Sequence, residues 1–207
     1  MESLPNGIQY RHWPVDDAKA CVLLAHGLAE HTGRYEHVAT RLSERGVAVV
    51  GPDHIGHGAS PGVRVYLKAL SEYLEHMQTL SAHIDDWYPG RPVFLMGHSM
   101  GGLISAHLLL ISQAVFQGAM LSGPAFHAVD PAPAPLMLIG RLLRYVLPKL
   151  GMVSLDANGV SRDPAVVADY LADPLVYNGK ITTVLGIEML DAMEVAIARA
   201  GEIMLPI

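Results

Sequence analysis

VFLMGHSMGGLISAHLLLIS, residues 93–112, is the stretch on which the fold turns. Residues 93–97 form an unbroken apolar run, as a strand buried on both faces requires, and residues 102–112 suit a helix. Between them lies a G-x-S-x-G pattern, Gly97 to Gly101. The two glycines permit a sharp strand-to-helix turn that lifts a serine hydroxyl above the sheet, at the positive end of the helix. A bare five-residue match is common by chance. With a strand before it and a helix after it, Ser99 is a candidate nucleophile rather than a structural serine in a glycine-rich turn. His98 should point elsewhere and is not taken as the base.

Working outward, the same alternation continues. Ile8, Tyr10 and His12 suggest a short early strand, and CVLLA (21–25) and VAVVGPD (47–53) read as buried strands. Between the latter two, Tyr35, Val38, Ala39 and Leu42 recur at helical spacing, with Gly46 as the stop. Leu67, Leu70, Leu74, Met77, Leu80, Ile84 and Trp87 predict a long amphipathic helix ending at Pro89-Gly90, and GAMLSG (118–123) a fourth apolar strand. Strands alternating with helices imply βαβ units: an α/β fold with a mostly parallel sheet and helices on both faces.

The pattern changes at Pro124. From there to Glu202 the chain is punctuated by proline, helical by spacing and without a strong strand. PAPAP (131–135) reads as a stiff connector, and Leu136, Ile139, Leu143 and Leu147 as an apolar helix face. The expected division is 1–123, the N-terminal part of the core; 124–202, a helical cap or lid over the strand ends; and 203–207, the start of the next core strand.

Composition narrows the function. Fourteen Lys and Arg against twenty Asp and Glu give a net charge of −6, with no basic run. That argues against nucleic acid or an anionic membrane as an electrostatic partner. The single cysteine, Cys21, sits in an apolar run; it points to a reducing, cytoplasmic compartment and a buried thiol. No secretory signal opens the sequence, and the apolar stretch from Pro135 to Val153 is broken by Arg141, Arg144 and Lys149. It is too interrupted to span a bilayer but could lie on one. Nothing here indicates an oligomeric state.

Two further loops carry polar residues. AHGLAEH (25–31) follows the strand 21–25, where a G-x-S-x-G fold draws one oxyanion donor, the second being the N–H after the serine. Those donors would be the backbone N–H groups of Leu28 and Met100. His26 and His31 read as structural histidines that tie the loop down. PDHIGHG (52–58) holds Asp53, His54 and His57, but no Cys or Glu completes a zinc pattern, so no metal site is expected.

Together HGLAEHTGRYEHVA (26–39), PDHIGHGASPG (52–62), YPGRPVFLMGHSMGG (88–102), VSRDPAVVADYLADPLVY (160–177) and GIEMLDA (186–192) closely resemble monoacylglycerol lipases, and the lysophospholipases and esterases grouped with them. The resemblance runs from about residue 20 to residue 207. It implies an α/β-hydrolase fold and a cofactor-free serine hydrolase of lipid esters, most simply of monoacylglycerol. Ser99 would be the nucleophile and Leu28 and Met100 the oxyanion donors. Glu30 and Arg34 would hold the glycerol end, the alternative being a solvated loop ion pair. Tyr170 would join them, or simply pack within the cap. Leu136, Met137, Leu138, Ile139 and Leu143 would line an acyl channel or rest on a membrane; ordinary cap packing is the alternative.

In this fold the acid and then the base follow the nucleophile along the chain. Asp53 and His54 precede Ser99, and His127 has no evident carboxylate partner. The expected Asp and His, with the C-terminal strands, therefore fall outside these 207 residues. Rival readings are a short-chain carboxylesterase, a lysophospholipase, a thioesterase or an aminopeptidase on the same scaffold, and an inactive lipid-binding remnant.

Overall fold

The computed structural model describes residues 1–128, 133–154 and 156–207. Six strands form one sheet: β1 (Glu2–Ser3), β2 (Gln9–Trp13), β3 (Ala20–Ala25), β4 (Val47–Pro52), β5 (Val93–His98) and β6 (Gly118–Ser122). Their order is β1-β2-β4-β3-β5-β6. β1 pairs antiparallel to β2 and β2 to β4, while β4, β3, β5 and β6 run parallel. The helices α1 (Glu36–Ser43), α2 (Ser71–Trp87) and α3 (Met100–Ser112) supply the crossovers.

Side-chain alternation along the strands explains the two layers. Val22, Leu24 and Val49 face α1 and pack with Tyr35 and Ala39. Cys21, Leu23, Ala25, Ala48, Val50 and Leu95 point the other way, into a core with Met77, Leu80, Ile84, Leu103 and Ile104 from α2 and α3. Because both faces are covered, β3 and β4 read as continuous apolar runs rather than alternating ones. Cys21 is buried within that core, and burial pushes its thiol up to about 11. It behaves as a small hydrophobe.

Several expectations need correcting. Leu67 and Leu70 precede α2, which begins at Ser71. Leu67 enters the same core from a non-helical stretch, so its spacing imitates one more helical turn. The region after Pro124 holds α4 (Ala134–Val146), α5 (Pro164–Ala172) and α6 (Thr183–Arg199), but also a two-stranded sheet of β7 (Gly151–Ser154) and β8 (Lys180–Thr182). These strands of four and three residues are too short, and their pairing too irregular at Gly151/Val153, to leave a period-2 signal. Residues 203–207 carry no strand assignment; the Pro206 carbonyl accepts one bond, at 2.9 Å, from the Ala119 N–H on the outer edge of β6.

α4 also turns a different face inward. Gly140 packs on Ile187 of α6, where an added Cβ would lie 3.1 Å from Ile187 Cδ1. Arg141 and Arg144 each reach Asp191 at 2.9 Å, fastening α4 to α6. Leu138, Ile139, Leu142, Val146 and Leu147 consequently face outward. Of the expected connector PAPAP, residues 131 and 132 lie outside the described residues, as does the side chain of Leu136. Among the described residues, no helix is long and apolar enough to cross a membrane.

Candidate active site

Ser99 sits between β5 and α3 with φ 51° and ψ −118°, in the half of conformational space that favours glycine. The surroundings hold it there. Its N–H donates to the Ser122 carbonyl at 3.0 Å, and its own carbonyl accepts from Gly102 (2.9 Å), Leu103 (3.2 Å) and Ala125 (3.0 Å). Gly97 and Gly101 allow the close approach: a Cβ on Gly97 would lie 2.7 Å from the Gly101 carbonyl carbon, and one on Gly101 2.6 Å from the His26 carbonyl oxygen. Strained residues of this kind cost roughly 1–3 kcal/mol and collect at working sites. Ser99→Gly should relieve that strain, less the ~0.5–1 kcal/mol entropic cost of glycine. The net gain is about 1 kcal/mol, a melting temperature higher by roughly 2–4 °C. An unchanged or lower melting temperature would mean the elbow is not strained.

A cavity of about 660 Å³ opens over Ser99. The loop after β3 contributes Gly27, Leu28, Glu30 and Arg34 to its wall; the α4–α6 region contributes Tyr170 and Met189. The structure thus brings Ser99, Leu28, Glu30, Arg34 and Tyr170 around one space, with Met100 at the first position of α3. Neither Leu28 N–H nor Met100 N–H has an acceptor among the described residues. Met137, Leu138, Ile139 and Leu143 do not border the cavity, so the expected acyl channel along α4 is not where the structure puts the space beside Ser99. The reason is the rotation of α4 imposed by Gly140 and its arginines.

Glu30 is a brace as well as a wall residue. Its Oε1 accepts from Gly27 N–H and from Tyr35 Oη, both at 2.6 Å, and its Oε2 lies 3.4 Å from Arg34 Nε. Its side chain is only 12% exposed, so the pair is not a solvated loop ion pair. Burial, then the Glu30 carboxylate, drives the Tyr35 hydroxyl far above its ordinary range, so it stays protonated and donating. The Arg34 guanidinium lies over the Tyr170 ring, 4.7 Å from its centroid. Tyr35 and Met189 were not singled out by the sequence. Tyr35 looked like an ordinary apolar helix position, and nothing in local spacing reveals that its hydroxyl reaches back to Glu30.

The histidines are occupied elsewhere. His98 borders the cavity, but its Nδ1–H donates to the Ser122 carbonyl at 2.9 Å. His26 is fully buried: its Nε2 accepts from His54 N–H at 2.9 Å, which leaves Nδ1–H to donate to the Gly27 carbonyl at 2.7 Å. Asp53 accepts from Thr32 N–H, Thr32 Oγ1–H and Ala59 N–H. Burial opposes its ionisation, but the nearby His26 ring and these donors prevail and hold its carboxyl below the usual range. His57 Nδ1 donates to the Ile55 carbonyl. PDHIGHG is therefore a buried foundation beneath the β3 loop. His127 lies at a separate groove beside Arg141 and Glu194. Among the described residues, no three His, Cys, Asp or Glu side chains are grouped to hold a metal ion.

A parallel sheet with a serine elbow at the carboxyl end of a central strand, faced by a donor loop from the neighbouring strand, defines an α/β-hydrolase. Residues 16–207 match the family described as serine aminopeptidase, S33, and the chain belongs to that family. It is 43% identical over 175 residues to a monoacylglycerol lipase of Mycolicibacterium smegmatis, covering 84% of this chain and 62% of the relative. With human monoglyceride lipase it shares 35% identity over 188 residues, 88% of this chain and 61% of the relative. The chain thus spans under two thirds of the length of these relatives. A crystal structure of a Paleococcus ferrophilus monoacylglycerol lipase superposes with a TM-score of 0.85 at 30% identity, covering 96% of this chain and 75% of that one.

Proposed function

We propose that the protein is a serine esterase of lipids that cleaves monoacylglycerol to fatty acid and glycerol through an acyl-enzyme on Ser99. The observation that carries this reading is the strained Ser99 at the floor of a cavity walled by the Gly27–Arg34 loop. Ser99 Oγ attacks the ester carbonyl, a histidine base takes its proton, and the Leu28 and Met100 N–H groups receive the oxyanion. Such donors are worth roughly a hundred- to thousandfold in rate each. Collapse of the tetrahedral intermediate expels glycerol, and water then releases the fatty acid. Glu30, Arg34 and Tyr170 form the polar wall that takes the glycerol hydroxyls.

Residues 124–202 act as the cap of this site, with 1–123 as the core beneath it. The base and its acid follow the nucleophile along the chain in the order of this fold. In support, His26, His31, His57, His98 and His107 are all hydrogen-bonded to groups other than Ser99. The outward apolar face of α4, with Leu138, Ile139, Leu142 and Val146, suits transient contact with a membrane surface by an otherwise cytoplasmic protein.

Incubation with a fluorophosphonate followed by intact-mass and peptide analysis tests the reading. One adduct, on Ser99, together with faster turnover of long-chain monoacylglycerols than of short-chain esters, is expected. An adduct on another residue, or none on a cooperatively melting protein that carries the base and acid of this fold, rejects it.

A further inference from the structure

Three contacts join one short piece of the cap to the loop that carries Leu28, across more than 130 residues of sequence. His31 Nδ1 accepts from Gly33 N–H at 3.1 Å, so its proton resides on Nε2, which donates to Asp173 Oδ2 at 2.8 Å. The Tyr177 N–H donates to the Ala29 carbonyl at 2.9 Å, and the Arg34 guanidinium covers Tyr170. Ala29, next to Leu28, has a φ of 66°, so the loop bends there in a conformation that a non-glycine residue holds only under constraint.

Asp173 is the member of this set with no evident local reason to face the loop. It ends α5 and its Oδ1 already caps the turn that follows, accepting from Leu175 N–H at 2.9 Å. Its second oxygen reaches His31, whose side chain is 6% exposed. A hydrogen bond to an ionised carboxylate in such a sheltered place is among the stronger ones.

We infer that Asp173 is a positioning residue: acting through His31, it locks the cap's Asp173-Pro174-Leu175 turn to the oxyanion loop, so that cap and Leu28 N–H keep their places together. This rests on the reading of Leu28 as an oxyanion donor. A cap lifted from the core would carry the His31 contact with it and loosen the donor loop, so the site is assembled only when the cap is seated.

Hydrogen exchange read by mass spectrometry on the full chain tests the inference with two variants. Asp173→Ser keeps a side-chain acceptor for the Leu175 N–H but is too short to reach His31. Asp173→Glu keeps the reach and both carboxylate acceptors, whereas an amide would offer one acceptor oxygen to the two N–H donors of Leu175 and His31. In Asp173→Ser the amides of residues 27–34 should exchange about ten- to a hundredfold faster, the factor one charge-assisted hydrogen bond gives to a local opening equilibrium. Amides of β4 and β5 should not change. Asp173→Glu should restore most of the protection. Unchanged exchange at 27–34 with faster exchange only at 173–177 would reduce the contact to a cap anchor and overturn the inference. Acceleration throughout β4 and β5 would overturn it too, since Asp173 would then support the whole fold. Fluorophosphonate labelling is scored separately. A wild type that carries the base and acid of this fold yet fails to label while the loop responds rejects Ser99 as nucleophile and leaves the clamp standing. Labelling in the wild type with no loop response does the reverse.

Discussion

Gly101→Ala will remove about 4 kcal/mol of folding stability, in the range reserved for the most disruptive single substitutions. An added Cβ would overlap the Ala25 carbonyl oxygen and lie 2.5 Å from the Ala25 carbonyl carbon and 2.6 Å from the His26 carbonyl oxygen. All three are backbone atoms, and rotamer changes cannot move them. Ala25 ends β3, a strand paired on both sides, and His26 is fixed by His54 and by Gly27, so neither can retreat alone. Either α3 lifts from the sheet or the β3 loop shifts, and each breaks the elbow. At roughly 2–4 °C per kcal/mol for a chain of this size, the melting temperature should fall by about 8–16 °C. Gly186→Ala is the matched control. Gly186 lies inside α6 with nothing within 4 Å of the added carbon, and the substitution should stabilise by roughly 0.5–1 kcal/mol. A Gly101→Ala protein melting within about 2 °C of wild type would show that the elbow has slack that the structure does not contain.

The elbow was legible because its motif is local in sequence, although the backbone atoms that Gly101 must clear belong to Ala25 and His26. Strand, turn and helix are contiguous from Val93 to Ser112, so a pattern of twenty residues contains the geometry. β3 and β4 were equally readable, since burial on both faces forces unbroken apolar runs. What escaped reading depends on partners distant along the chain. The inward face of α4 is chosen by Gly140 against Ile187 and by Arg141 and Arg144 against Asp191, so its most apolar stripe, at Leu138, Ile139 and Leu142, is left outside. An amphipathic pattern predicts that a helix has two faces; which one packs is decided by the neighbour. The His31–Asp173 bond was hidden for the same reason, and the Glu30–Tyr35 bond because a non-repeating loop, rather than a helical or strand spacing, brings the pair together. Each polar group has an acceptable surface role until the fold brings its partner within 3 Å.

Acid will unfold the protein with a midpoint of about pH 4–5, starting from pH values at which its carboxylates are still ionised, because of the histidines stacked under the β3 loop. Burial lowers the pKa of His26, His54, His57 and His76, with His57 brought to about 3. The rings crowd one another: His26 and His54 centroids are 4.5 Å apart, His26 and His57 5.4 Å, and Tyr73 closes the far side at 4.8 Å from His54. The unfolded chain takes up these protons near pH 6.5 whereas the folded chain refuses them. Their destabilising effect is therefore absent above about pH 6.5 and grows continuously as pH falls toward the folded values. At pH 4.5 His57 alone accounts for about 3 kcal/mol, and His54, lowered in the same direction, adds to it. Typical domains hold only about 5–15 kcal/mol in total. Asp53 acts in a lower window: its depressed carboxyl contributes stability above its unfolded value near 3.9 that is lost only as pH falls through the folded one. The structural consequence is specific to His26. Its Nε2 must remain unprotonated to accept the His54 N–H, so a proton there severs a bond holding the loop that carries Leu28. Melting followed by circular dichroism from pH 7.5 to 4 should show stability falling from about pH 6.5. His57→Asn, which keeps a donor for the Ile55 carbonyl, should move the acid midpoint lower by about half a unit or more. Melting that is flat between pH 7 and 4.5 would show that these rings are not held neutral by the fold.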